Sequence, residues 1–257
     1  EIIEELAYII KEEIDSIKPV RNLLLYGDAG TGKSTSAVIL AQLLGLPYRF
    51  TNCSLNTEES EFFGTYKPND KGGFELSKPP FAETFEKGGV IEIQEPSILK
   101  SGVAVKFNSA LDDTNMIILP DDTVVPRHKN CIVVITTNID YAGCSEMNEA
   151  VRDRFSYKIQ MELPDTSDLI KMAMEQSRNS DATLVRKLVD AVQKIALKIE
   201  EEQIGGSCST RGLIDWARDI KYTKDPIRSA RRTLLAGVSF EKEIQEEIVD
   251  TILKPMF

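Results

Sequence analysis

The stretch that most narrows the folds open to this chain is Gly27-Asp28-Ala29-Gly30-Thr31-Gly32-Lys33-Ser34. It matches G-x-x-x-x-G-K-[ST], a loop whose backbone amides cradle phosphate. Each fixed position has a physical reason. Gly27, Gly30 and Gly32 let the backbone turn tightly enough for several N–H groups to converge on one anion. Lys33 brings a compact positive charge to β/γ-phosphates, and Ser34 offers a hydroxyl to Mg²⁺. Thr35 follows into a helix whose N-terminus adds a partial positive charge. The flanks agree. Asn22–Tyr26 reads NLLLY, a short apolar strand, and Ser34–Leu44 reads STSAVILAQLL, a helix. Strand, glycine loop and helix in that order are the context the motif requires.

Two later strands carry further polar residues at their ends. Val90–Glu95 reads VIEIQE, the place for an apolar strand closing on Asp-Glu. Gln94 occupies the Asp position. An amide can hydrogen-bond a metal-bound water but brings no negative charge, so weakened Mg²⁺ affinity is expected. Glu95 is placed to polarise an attacking water, and both residues are expected just outside the ligands of the ion. Cys131–Thr136 (CIVVIT) is continuously apolar, as a buried parallel strand should be. It ends in Thr137-Asn138, where the Asn138 amide can reach a γ-phosphate or the water attacking it. Asn148–Arg154 (NEAVRDR) reads as a short helix before a strand at Phe155–Met161. It brings Arg152 and Arg154 close together.

The rest of the chain divides by pattern. Glu1–Ile17 has helical apolar spacing and stops before Pro19. Leu55–Pro80 is turn-rich and reads as irregular. Its aromatic residues suit either rings that pin a long loop or a surface facing a substrate or subunit. Phe81–Lys87 and a pattern within Ile98–Asp113 read as helices. Ile117–Val125 reads as a hairpin turning at Asp121-Asp122. His128, the single histidine, reads as structural. Leu163-Pro164-Asp165 looks like a linker. Five helices are expected beyond it, at Ser167–Arg178, Ala182–Glu202, Thr210–Tyr222, Pro226–Ala236 and Phe240–Leu253. Ser209 or Thr210 can cap the third, which puts Arg211 in its first turn. A cation there opposes the helix dipole, so Arg211 is expected to answer to something else, such as a phosphate.

Composition removes some functions. The net charge of −10 argues against non-specific binding to nucleic acid. No apolar run approaches membrane-spanning length and no secretory leader is visible. The four cysteines are widely spaced and form no C-x-x-C pair, so reduced thiols and a cytoplasmic setting are expected.

Taken together, these motifs resemble AAA+ ATPases, specifically the MoxR-type, dynein- and midasin-related branch. The resemblance runs over nearly the whole chain. It rests on GDAGTGKS at Gly27–Ser34, VIEIQE at Val90–Glu95, CIVVITTN ending at Asn138, VRDRF around Arg152 and Arg154, and STRG around Arg211. It implies an α/β fold, a doubly wound parallel sheet of the P-loop NTPase type, over residues 1–163. A helical lid over residues 164–257 would follow. It implies ATP and Mg²⁺ as ligands and ATP hydrolysis as the activity. Asp28, Ala29 and Thr31 join the phosphate loop. Arg152 or Arg154 becomes the arginine offered to a neighbour's nucleotide, and Arg211 the lid residue that senses it. Members of this branch assemble as hexameric rings, and some work with partners carrying a von Willebrand A-type domain. The expected role is a ring-forming, chaperone-like machine acting on a protein. The alternatives are a motor subunit of a nucleic-acid-processing or restriction complex, and a nucleotide-binding scaffold made slow by Gln94.

Overall fold

The structure is a computed structural model and describes residues 2–28, 30–70, 72–138 and 152–257. The chain divides into two compact units, Glu1–Asp28 with Gly32–Glu162, and Ala29–Thr31 with Leu163–Phe257.

The first unit is built on a five-stranded, all-parallel sheet. Its strands are β1 (Asn22–Tyr26), β2 (Tyr48–Asn52), β3 (Gly89–Gln94), β4 (Cys131–Thr137) and β5 (Tyr157–Gln160), in the spatial order β2-β3-β4-β1-β5. The central strands are apolar throughout because both faces are covered. Leu23, Leu25, Ile132 and Val134 point into a core shared with α1 (Ile2–Glu12) and α2 (Lys33–Leu44). Leu24, Ile91, Ile93, Val133 and Ile135 point the other way, into a core with Phe81, Phe85 and Phe107. The latter rings come from α3 (Pro80–Lys87) and α4 (Ser101–Ser109). This is the α/β doubly wound architecture of P-loop NTPases. The first helix ends at Glu12, earlier than its apolar spacing predicts. Ile17 is fully exposed, so no packing supports a further turn.

The stretch expected to be irregular is more ordered than its sequence indicates. Thr65–Pro68 pairs antiparallel with Phe74–Ser77. Its aromatic residues split in two. Phe62 and Phe63 are buried against Phe81 of α3, with Phe62 and Phe107 centroids 5.1 Å apart, and they anchor the segment. Tyr66 and Phe74, on the hairpin itself, are exposed. A second hairpin pairs Met116–Ile118 with Val124–Pro126, and its turn contains Asp122 at φ 62.

The second unit is helical. α5 (Thr166–Ser177), α6 (Ala182–Glu201), α7 (Thr210–Thr223) and α8 (Pro226–Thr233) surround a core with Trp216, Leu188, Val189 and Leu213 at its centre. Each helix starts on a side-chain cap: Asp165, Asp181, Ser209 and Asp225 accept from the amides of Asp168, Leu184, Gly212 and Arg228. The single helix expected at Pro226–Ala236 is broken at Leu234, and a short helix resumes at Leu235–Val238. The Gly237 carbonyl in that short turn accepts from Ser207 N at 3.1 Å, which fixes the chain there. Among the described residues no helix is long and apolar enough to cross a membrane.

Candidate nucleotide site

The glycine loop leaves the carboxyl end of β1, the edge at which open α/β sheets bind ligands. Gly27 opens it with φ 147, and a Cβ there would lie 2.2 Å from the Met161 carbonyl oxygen. Only glycine lets the chain leave β1 this close to the end of β5. We expect Gly27→Ala to lower unfolding stability by about 1–3 kcal/mol, the usual cost of forced overpacking, as read by urea denaturation. Gly32 closes the loop at φ 87 and caps α2 in the left-handed region.

Lys33 is buried and fully engaged. Its Nζ donates to the carbonyls of Gly27 (2.9 Å) and Asp28 (2.7 Å) and to Asn138 Oδ1 (2.8 Å). Burial lowers the Lys33 pKa, while the nearby Glu95 and Asp28 carboxylates act in the opposite sense. Asn138 links this lysine to Glu95. Its backbone N–H donates to both carboxylate oxygens, at 3.1 and 3.2 Å, and Thr137 Oγ1 adds a bond of 3.2 Å. Glu95 lies just past β3 in a left-handed conformation, φ 53 and ψ 48. Such a backbone disfavours a side-chain-bearing residue and is held here by the Glu95 N–H bond to Thr136 O at 2.8 Å. Lys33, Asn138 and Glu95, three residues from three separate segments, therefore form one hydrogen-bonded cluster.

Ser34 defines a second cluster. Its hydroxyl donates to Glu92 Oε1 at 2.7 Å. Gln94 Nε2 approaches the same Ser34 oxygen at 3.4 Å. Gln94 thus stands beside Ser34, but it is not the group that holds the serine hydroxyl. Gln94 itself brings no negative charge here. Glu92, two residues earlier on the same strand face, brings a carboxylate to Ser34. Residues i and i+2 of a strand point the same way, so the alternation of VIEIQE places Glu92 and Gln94 on one face.

Asp28, Gly30, Ser34 and Thr35 are exposed and Thr31 is buried; Ala29 lies outside the described residues. Arg152 is exposed and Arg154 half-buried. The Arg154 carbonyl accepts from Asn22 Nδ2 at 2.9 Å, at the start of β1 and so at the end of the sheet away from the glycine loop. Arg154 there helps line a cavity of about 560 Å³ with Arg21, Arg127, Asp112 and Asp153. The helix expected at Asn148–Arg154 falls mostly outside the described residues. Arg211 is exposed in the first turn of α7. His128 Nδ1 accepts from Asn130 N at 3.1 Å.

No group of three or more His, Cys, Asp or Glu able to hold a metal occurs among the described residues. A hydroxyl flanked by one carboxylate and one amide does suit Mg²⁺, which takes few protein ligands and completes its shell with water and substrate phosphates.

A family model for the AAA domain, dynein-related subfamily, matches residues 22–155, and the chain belongs to that family. An uncharacterised protein of Staphylococcus epidermidis is 28% identical over 238 residues, covering 90% of this chain and 89% of the relative. An uncharacterised protein of Staphylococcus aureus is 27% identical over 231 residues, covering 88% and 87%. Among solved structures, one from Cytophaga hutchinsonii, provisionally described as an ATPase, matches with TM-score 0.53 and 21% identity, covering 98% of this chain and 88% of that one. The RuvB Holliday junction branch migration motor of Thermotoga maritima matches with TM-score 0.52 and 14% identity, covering 96% and 67%. Those two likenesses speak for the fold. The chain is an AAA+ module with the P-loop nucleotide-binding fold.

Proposed function

We propose that this chain is an ATP-hydrolysing, ring-forming AAA+ module of MoxR type that remodels a protein partner. The observation that carries the reading is the joining of Lys33, Asn138 and Glu95 at the edge of the sheet where the glycine loop begins. In it, amides of Gly27–Thr35 and the Lys33 ammonium bind the triphosphate. The carbonyls now facing Lys33 are replaced by β- and γ-phosphate oxygens. Bound Mg²⁺ would neutralise charge on the β- and γ-oxygens. Ser34 would ligate it, with Glu92, Gln94 and Glu95 nearby. Glu95 takes the proton of the attacking water, and Asn138 orients that water. Arg211 reads the γ-phosphate from the helical domain. Arg154, or else Arg152, serves the nucleotide of a neighbour in a hexamer. The net charge of −10 favours a protein over a nucleic acid as the thing remodelled, and a partner with a von Willebrand A-type domain fits the branch.

The test is phosphate release from ATP, paired with calorimetry of Lys33→Ala. Losing the principal side-chain charge at the β/γ-phosphates should weaken ATP binding at least about tenfold. Equal affinity in both proteins overturns the assignment of the loop. ATP binding without phosphate release would leave a nucleotide-binding scaffold.

A further inference from the structure

We propose that Glu92 is the carboxylate on the metal side of the site, doing from inside β3 what position 94, an amide, cannot do from its end. The inference rests on the nucleotide-site reading above and assigns a residue within it.

Glu92 is completely buried. Val90 and Glu92 alternate with Ile91 and Ile93, so Glu92 faces the side of the sheet covered by α2. Three hydroxyls meet it there. Ser34 donates to Oε1 at 2.7 Å and Thr136 at 2.8 Å, while Tyr48 donates to Oε2. Each donor comes from a different element. Ser34 is on α2, Thr136 on β4 and Tyr48 on β2, and these are the two strands that flank β3.

Among the described residues Glu92 forms no ion pair with Lys or Arg. Its partners are neutral. A carboxylate this deep is surrounded by neutral donors alone, and it lies one hydrogen bond from Ser34. That is the electrostatic setting a divalent cation at Ser34 would relieve. The direction of the bond matters too. With its proton committed to Glu92, the Ser34 oxygen keeps a lone pair for a cation besides the one that faces Gln94 Nε2. Carboxylates that hold a ligating group in this way orient it and raise its basicity. Gln94 donates to that oxygen instead of accepting from its hydroxyl and carries no charge, so it supplies neither effect here. Glu92 is therefore a positioning residue, and Tyr48 and Thr136 position it in turn. The competing reading is a structural clip that ties α2 to the sheet and has no bearing on metal.

Metal dependence of nucleotide binding separates these, measured by calorimetry with ATP in EDTA and again in Mg²⁺, with Mn²⁺ binding followed by its electron paramagnetic resonance signal. Glu92→Gln keeps the shape of the side chain. It should bind metal-free ATP within a few-fold of wild type and lose about 10- to 100-fold in Mn²⁺ affinity, the usual range for an outer-shell partner. The pair Glu92→Gln with Gln94→Asp should recover most of that loss, because the charge returns to the same strand face. A folded Glu92→Gln protein with wild-type metal dependence overturns the proposal and leaves the clip. If Glu92→Gln does not fold, Tyr48→Phe, which removes one donor and no charge, should weaken Mn²⁺ binding severalfold. Unchanged binding in that variant overturns the proposal equally. Failure of the underlying reading looks different: wild-type protein would then bind ATP neither with metal nor without.

Discussion

Glu95→Gln should bind ATP as the wild type does and hydrolyse it roughly 10²-fold more slowly or worse, the scale expected of a positioned general base. The substitution preserves size, and its amide oxygen can still accept from the Asn138 N–H that now reaches both carboxylate oxygens at 3.1 and 3.2 Å. It loses the charge that draws a proton from water. The effect belongs in kcat if Glu95 acts on the nucleotide through water, as proposed, because such a group adds little to ground-state binding. Phosphate release at saturating ATP, beside calorimetric ATP affinity, separates the two. The backbone argues in the same sense. A glutamate held at φ 53 costs on the order of 1 kcal/mol, and such strain persists where the surroundings enforce it. Unchanged turnover would mean that another group activates the water, and that the tether between Glu95 and Asn138 only shapes the turn after β3.

Most of the nucleotide-binding fold was legible because its signals are local. NLLLY, the glycine loop and a helix stand in sequence as they stand in space. CIVVITT could be read as a strand buried on both faces because no polar residue interrupts it before Thr136. The missing parts are those that need a neighbour. Thr65–Pro68 is exposed at every position, so it shows no alternation to read, and only its pairing with Phe74–Ser77 makes it a strand. The end of α1 depended on where packing stopped, which Ile14 and Ile17 did not announce. Glu92 was half legible. Period-two alternation places it with Gln94 on one face, but its meaning depends on Ser34, Tyr48 and Thr136. Those three come from elements whose adjacency the sheet order decides. In the helical half, the Ser209 cap was read from the sequence, while Asp165, Asp181 and Asp225 show themselves as caps only in the structure. The break at Leu234 was not legible: no Pro or Gly stands at that position, and the bond from Ser207 N to Gly237 O just beyond it joins distant parts of the chain.

The largest effect is expected at Arg154. Ser156 N donates to Asn22 O, and Asn22 Nδ2 donates to Arg154 O, so this arginine is fixed where β1 begins. The glycine loop starts where β1 ends. The four steps from Asn22 to Tyr26, at about 3.3 Å each, put those two ends roughly 13 Å apart before side chains are counted. Arg154 thus belongs to the opposite rim of the sheet from Lys33, Asn138 and Glu95. A cation on that rim acts on phosphate only if the phosphate belongs to another subunit, and an arginine supplied in trans is worth about 10³–10⁵ in phosphoryl-transfer rate. Arg154→Ala should therefore lose about that much hydrolysis while keeping ATP affinity within a few-fold. Wild-type turnover per subunit should rise with protein concentration as rings form. Mixing Arg154→Ala with Glu95→Gln should restore part of the activity, because some interfaces then join an intact Glu95 to an intact Arg154. Arg152→Ala in the same assay tells which of the two arginines serves. Turnover independent of concentration, in a protein that sediments as a monomer, would overturn the trans arrangement. Arg154 would then be a charge of the cavity it shares with Asp112 and Asp153.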